Sequence, residues 1–188
     1  PSEIAWKSLA PQKLSATESV TLRALDDQSV LAEGPNADQS QYTLELAAAE
    51  GSTITAIKLE ALPHKSFVNQ GPGRADNGNF VLSELTFEVA NKLVAIESAT
   101  ADFSQDGWAA AGAIDGKPTT GWAVMPAFGK THTLTLQLKS PLKLEKDQPL
   151  TVKLSFQFGR QHTLGRFRML ATEADLQLVR ALPSDVLE

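Results

Sequence analysis

TLTLQLK, residues 133–139, and LTVKLSFQF, residues 150–158, carry the clearest pattern in this chain. In the first, Leu134, Leu136 and Leu138 alternate with Thr133, Thr135, Gln137 and Lys139. In the second, Leu150, Val152, Leu154, Phe156 and Phe158 alternate with Thr151, Lys153, Ser155 and Gln157. Successive side chains of a strand point to opposite faces, so a period of two gives each stretch one dry and one wet side. That is the pattern of an antiparallel sheet covering a core. The charged connection over residues 141–149 reads as joining the two stretches into an antiparallel pair.

Upstream, the same period recurs in shorter runs. Tyr42, Leu44 and Leu46 oppose Thr43 and Glu45; Ile57 and Leu59 oppose Lys58 and Glu60; Val81, Leu85, Phe87 and Val89 oppose Glu84, Thr86 and Glu88. Val20 to Ala32 reads as two strands about the Asp26-Asp27 turn, Val94 to Ala99 as another, and Phe167 to Ala171 as the last. Trp6 to Leu14 reads as an extended arm, with Trp6 and Leu9 as apolar pegs and Pro11 opposing helix and central strand alike. With roughly nine to eleven strands and no alternation with helices, the expected fold is an all-β antiparallel β-sandwich. A break at Asn91-Lys92 would leave each half too few strands to cover a core, so residues 1–172 are read as a single sandwich. Leu176, Val179 and Leu182 have helical spacing, and Pro183-Ser184-Asp185 reads as a helix start, so residues 173–188 are expected to be a linker or the beginning of a helix.

Composition narrows the function. At 188 residues the chain can bury a substantial core without cross-links. It has no cysteine, which excludes disulfides, thiolate metal sites and thiol nucleophiles from this segment. A formal net charge of -5 argues against a nucleic-acid or anionic-membrane surface, either of which needs a basic face. No apolar run approaches the roughly 20 residues of a membrane span, so no membrane insertion is expected. Pro1-Ser2-Glu3 is not a signal peptide.

Two stretches interrupt the strand pattern with chemistry. AGAIDGKPTTGWAV, residues 111–124, turns at Asp115-Gly116 and closes on Thr120 and Trp122, a composition suited to a cation clamp or a rigid turn. PHKSFVNQGPGRADNGN, residues 63–79, is the longest irregular segment, and loops of that length are often functional. Its glycine spacing is not that of a dinucleotide fingerprint.

ATADFSQDGWAAAGAIDGKPTTGW, residues 99–122, resembles the first part of discoidin or coagulation-factor type C domains, galactose-binding-like sandwiches of the jelly-roll kind that include many carbohydrate-binding modules. The likeness rests on Ala113-Ile114-Asp115-Gly116 followed by Thr120-Gly121-Trp122. In that family the glutamate-containing L-x-E-L strand comes last, whereas here Leu82-Ser83-Glu84-Leu85 precedes the loop, which implies a permuted strand order. The chain also resembles a domain of large exported planctomycete-type proteins that carry cytochrome-c-like haem modules. That likeness rests on LEALPHKS (59–66), GPGRADNGNFVLSEL (71–85), ADFSQDGW (101–108) and HTLGRFRMLAT (162–172). It implies an exported location and an accessory role beside neighbouring domains.

The resemblance implies one structural calcium, held by Asp115, Thr120, Glu84 and the carbonyl of Ala113 or its neighbours. Calcium takes six to eight oxygens of this kind. The plainer alternative is an Asp-Gly turn in which Asp115 accepts backbone N–H groups. For a polysaccharide or oligosaccharide, the expected binding loops are Val68 to Asn79, Ser104 to Trp108 and Arg160 to Gly165, and the candidates are Trp108 and Trp122 as stacking faces, with Arg74, Asp76, Asn77, Asn79, Arg160, His162 and Arg166 as polar contacts. Each has a structural alternative: Trp122 as a core anchor, the arginines as partners of loop carbonyls or of Asp76 and Glu84, His162 as a hydrogen-bonder. Trp108 is the foremost candidate for an exposed platform. With no G-x-S-x-G or H-E-x-x-H, and with His64, His132 and His162 far apart in sequence, no catalysis is expected; Glu84, Glu88 and Asp115 are the carboxylates a glycoside hydrolase would pair, and they read as ion ligands or a solvated strand face. The expected function is a noncatalytic carbohydrate-binding module. The alternative is a docking domain that orients cytochrome-like modules.

Overall fold

A computed structural model describes residues 4–176. Two antiparallel sheets face each other, as the alternation predicts. The strands are β1 (Lys7–Ser8), β2 (Ala10–Ala16), β3 (Thr21–Ala24), β4 (Val30–Glu33), β5 (Ser40–Ala47), β6 (Thr53–Ala61), β7 (Glu84–Val89), β8 (Lys92–Val94), β9 (Ile96–Ala101), β10 (His132–Lys143), β11 (Leu150–Phe156) and β12 (Arg166–Thr172). One sheet runs β3-β4-β12-β6-β10-β9, with β1 also on β12; the other runs β2-β5-β11-β7-β8.

Burial follows the period of two. Leu134, Leu136, Leu150, Val152 and Leu154 are fully buried, as are Tyr42, Leu44, Ile57 and Leu59 across the two sheets. Covering each such side chain is worth about 1.5–3 kcal/mol. Residues from Leu9 to Ala171 contribute to this one apolar cluster. The Tyr42 ring lies 4.8 Å from Phe156 and 6.0 Å from Phe167, centroid to centroid, so it bridges the two layers.

Three expectations are corrected. The stretches at 133–139 and 150–158 do not pair: β10 lies between β6 and β9, and β11 lies between β5 and β7, in the opposite sheet. Alternation identifies the side that faces the core, and both sheets face the same core, so the pattern cannot name the partner strand. The stretch read as one strand from Val94 to Ala99 is divided at Ala95, where the chain passes from β8 in one sheet to β9 in the other. The strand read from Val81 begins at Glu84; Leu82 instead makes an isolated bridge with Trp122.

Asn91 belongs to the hairpin turn between β7 and β8, where Ala90 (φ 48°) and Asn91 (φ 61°) both adopt the left-handed conformation that a two-residue turn requires. Pro11 sits in β2, an edge strand paired only with β5, where its missing N–H is tolerated. Trp6 covers the outer side of β6, with Lys58 Nζ 4.0 Å from its ring centroid. At the other end, Thr53 N–H donates to Glu173 Oε1 at 2.7 Å, and Leu176 is buried. The helical reading of Val179, Leu182 and Pro183 to Asp185 lies outside the described residues.

Lys7 pairs with Ala171. The beginning of β1 and the end of β12 therefore leave the sandwich side by side, at one pole. The opposite pole carries the loops before β5, β7, β10 and β12 and after β9 and β11.

Candidate functional site

Asp115 and Glu84 form a corner where the loop after β9 meets β7. Close backbone approach makes the corner possible. A Cβ on Gly112 would lie 2.7 Å from Gly121 N, and one on Gly121 would lie 2.7 Å from Leu82 O. Glu84 Oε2 accepts the Gly116 N–H at 2.8 Å, Asp115 Oδ1 accepts the Lys117 N–H at 2.9 Å, and the Thr120 hydroxyl lies 2.8 Å from both Asp115 oxygens. Beneath them Ala113 is buried at the end of a 3-10 turn (Ala110–Ala113), and Trp122 is fully buried, its Nε1–H donating to Phe103 O at 2.9 Å. The ring of Trp122 meets Phe80 edge-on at 5.2 Å. Trp122 is thus the anchor under the loop and presents no face to a ligand.

The Thr120 oxygen has more acceptors than it has protons. Lys117 O at 3.1 Å and Gly112 O at 3.4 Å join the two Asp115 oxygens, and one hydroxyl proton serves all four. The two carboxylates are shifted in opposite directions. The Thr120 hydroxyl, above all, holds Asp115 below the usual carboxylate range. Burial pushes Glu84 up against the opposing Gly116 N–H, and the Asp115 charge pushes the same way. Among the described residues no three acidic or histidine side chains gather as metal ligands. The corner has two carboxylates, a hydroxyl and carbonyls.

The second feature is a cleft of about 630 Å³ at the loop pole, within the range of small-ligand sites. Asp76, Asn77, Asn79, Trp108, Arg160 and His162 all line it, brought together from three loops. Gly73 packs the first of these loops; a Cβ there would lie 1.8 Å from Asn79 O. Asn79 is 3% exposed and ties the loops together: its N–H donates to Asn77 Oδ1 (2.9 Å), its Nδ2 donates to Gln105 Oε1 (2.9 Å), and its Oδ1 accepts Val124 N–H (3.3 Å). Asn79 therefore positions its neighbours.

Arg74 and Arg166 lie outside the cleft. Arg74 Nη2 donates to Gly34 O at 2.6 Å, and its Nη1 is buried with no hydrogen-bond partner. Arg166 spans Ser29 Oγ, Pro63 O and Asp27 Oδ2, the last at 2.6 Å. Both arginines fasten loops, and Arg166 pairs with Asp27 in place of Asp76 or Glu84.

Val81, Gln105 and Gln161 also line the cleft, the last two from the expected binding loops, whereas Asp38, Met125 and Phe158 line it and are missed by the sequence reading. Phe158 is assigned there to the buried face because the alternation runs through it. The strand ends at Phe156, and Phe158 is 42% exposed. It meets Trp108 edge-on (5.2 Å, 86°) and His162 edge-on (4.9 Å, 78°). Beyond it, Arg160 (φ 54°) and Gln161 (φ 62°) take left-handed conformations, and Asp38 holds the turn by accepting Arg160 N–H at 2.7 Å. No sequence signal marks Asp38 or Met125, which are isolated residues in turns.

His162 Nδ1 lies 3.0 Å from Arg160 O, and a carbonyl only accepts, so the proton of the neutral ring is on Nδ1 and Nε2 is an acceptor. Among the described residues, the Asp76 carboxylate, Gln105 Nε2, the Arg160 guanidinium and His162 Nε2 make no hydrogen bond, so one cleft offers donors and acceptors beside two aromatic rings. Family models, curated proteins and solved structures were all compared with the chain, and none matches.

Proposed function

We propose that this domain is a noncatalytic carbohydrate-binding module of the galactose-binding-like, jelly-roll kind, holding a polysaccharide on behalf of a larger exported protein. The observation that carries the reading is the convergence of Asp76, Asn77, Trp108, Arg160 and His162 on one cleft beside Phe158. Aromatic faces suit the C–H surface of a pyranose, and the uncommitted Gln105 Nε2, Arg160 guanidinium and Asp76 carboxylate suit its hydroxyls. The test is electrophoresis in native gels containing plant or algal polysaccharides. Retardation by at least one polysaccharide, lost in Trp108→Ala, supports the reading, and free migration through a wide panel overturns it.

The same proposal includes a structural calcium at the Asp115 corner. A hydroxyl facing four oxygens with one proton is an oxygen-rich, proton-poor set, which suits a hard cation. Asp115, Thr120, Glu84 and the carbonyls of Ala113 or its neighbours would hold the ion. It would tie the loop to β7.

One observation favours the docking alternative. An apolar groove of about 190 Å³, lined by Ala5, Leu9, Ala48, Ile54 and Ala171 among others, lies at the pole where β1 and β12 leave the sandwich. Neighbouring cytochrome-like modules would meet the domain there. The two readings use opposite poles and do not compete for residues.

A further inference from the structure

A second cleft, of about 550 Å³, adjoins the first, and Asp38 lines both. Its walls include Thr17, Glu18, Gln39, Gln41 and Gln157, with Ala37 and Ser40 between them and no aromatic residue. Gln157 and Phe158 are consecutive, and they serve different clefts: Phe158 the aromatic one, Gln157 the amide-rich one. The Asp38 ridge is fixed, because its side chain accepts Arg160 N–H at 2.7 Å and its carbonyl accepts Gln161 N–H at 3.3 Å. On the far side of that ridge, Gln39 Nε2 donates to Gln157 O at 2.7 Å, which fastens the start of β5 to the end of β11. The side-chain amides of Gln41 and Gln157 make no hydrogen bond among the described residues.

We infer that the two clefts form one continuous track for an oligosaccharide chain, in which a sugar unit rests in the Trp108–Phe158 corner and further units cross Asp38 to be held by Gln41 and Gln157. This inference deepens the carbohydrate reading and rests on it. Planar amides bind adjacent hydroxyls through one donor and one acceptor each, so the second cleft adds affinity and registers the chain without stacking. The perpendicular rings of the first cleft grip one unit from two sides and give no coplanar row for a flat crystalline surface.

The test uses the whole domain and size-graded oligomers, from monosaccharide to hexasaccharide, of galactan, xylan, mannan and cellulose, with affinity read by calorimetry and by saturation-transfer NMR. Affinity is expected to rise with length for at least one series. Gln157→Ala and Gln41→Ala, both substitutions of surface amides, are expected to weaken the hexasaccharide about three- to tenfold each, as for one lost hydrogen bond, and to leave the monosaccharide unchanged. Phe158→Ala is expected to weaken every length. Length-independent binding, or hexasaccharide affinity untouched by both glutamine variants, overturns the track and leaves the aromatic site standing. No binding by any oligomer removes the carbohydrate reading and the track with it.

Discussion

The indole of Trp108 and the ring of Phe158 stand at 86° to each other with centroids 5.2 Å apart, so each supports the other where both line the cleft. A pair of this kind is worth about 0.5–1.5 kcal/mol beyond its buried area. Removing either ring should cost the fold little and the site much. Trp108→Ala and Phe158→Ala are expected to melt within a few degrees of the parent while losing at least about tenfold in polysaccharide affinity, one stacking contact's worth. Thermal melts run beside native-gel retardation measure both.

Trp122 should behave in the opposite way. It is fully buried, packs on Phe80 and donates to Phe103 O. Trp122→Ala is expected to destabilise by about 3–5 kcal/mol, as for other large aromatic truncations in a core. Urea unfolding measures this, and a loss below about 1 kcal/mol would contradict the anchoring role.

Calcium and protons should compete at the Asp115 corner. The folded state raises the pKa of Glu84, so without metal the ionised form is the disfavoured one, and stability falls as pH rises from the unfolded value through the folded one. A bound cation reverses this preference because it needs the ionised carboxylate. Adding calcium is therefore expected to raise the melting temperature near neutral pH, by an amount that shrinks as pH falls through the range where Glu84 takes up its proton. Glu84→Gln should remove most of the gain. Melting curves with calcium or chelator, repeated over pH, measure the effect, and identical curves at neutral pH would dispose of the ion.

Acid should act elsewhere through Asp27. Hydrogen bonds from Ser29, opposed by partial burial, and then the Arg166 charge hold Asp27 below the usual range. A lowered folded pKa gives stability that is present above the unfolded value of about 4 and is lost as pH falls through the folded value. The Asp27 side chain is 41% exposed, so the contribution is discounted to within about 1 kcal/mol. Asp27→Asn is expected to melt slightly lower than the parent at pH 6 and to converge with it in strong acid. Calorimetric scans across that range provide the comparison.

The architecture was legible because its cause is local. Leu134 and Leu154 declare their faces through their nearest neighbours, whichever strand lies alongside. Pairing is a long-range choice, so alternation alone makes partners of β10 and β11 although they lie in different sheets. The polar part of the cleft was legible for a similar reason. Asp76 and Asn77 stand in a stretch rich in Gly and Asn, Arg160 and His162 in a polar stretch bounded by Gly159 and Gly165, and the loops before β7 and β12 and after β9 emerge at one pole. Asp38 and Met125 reach the same place from turns with no distinguishing composition. Phe158 was concealed by its own alternation, which continues two residues past the last ladder partner of β11.

Because Lys7 and Ala171 are register partners, the first and last described strands come together at the foot of the sandwich, and the cleft lies at the crown. The domain is therefore built like a lamp on a paired stem. A pull applied between Lys7 and Ala171 would act across that pair and leave the loops of the crown untouched.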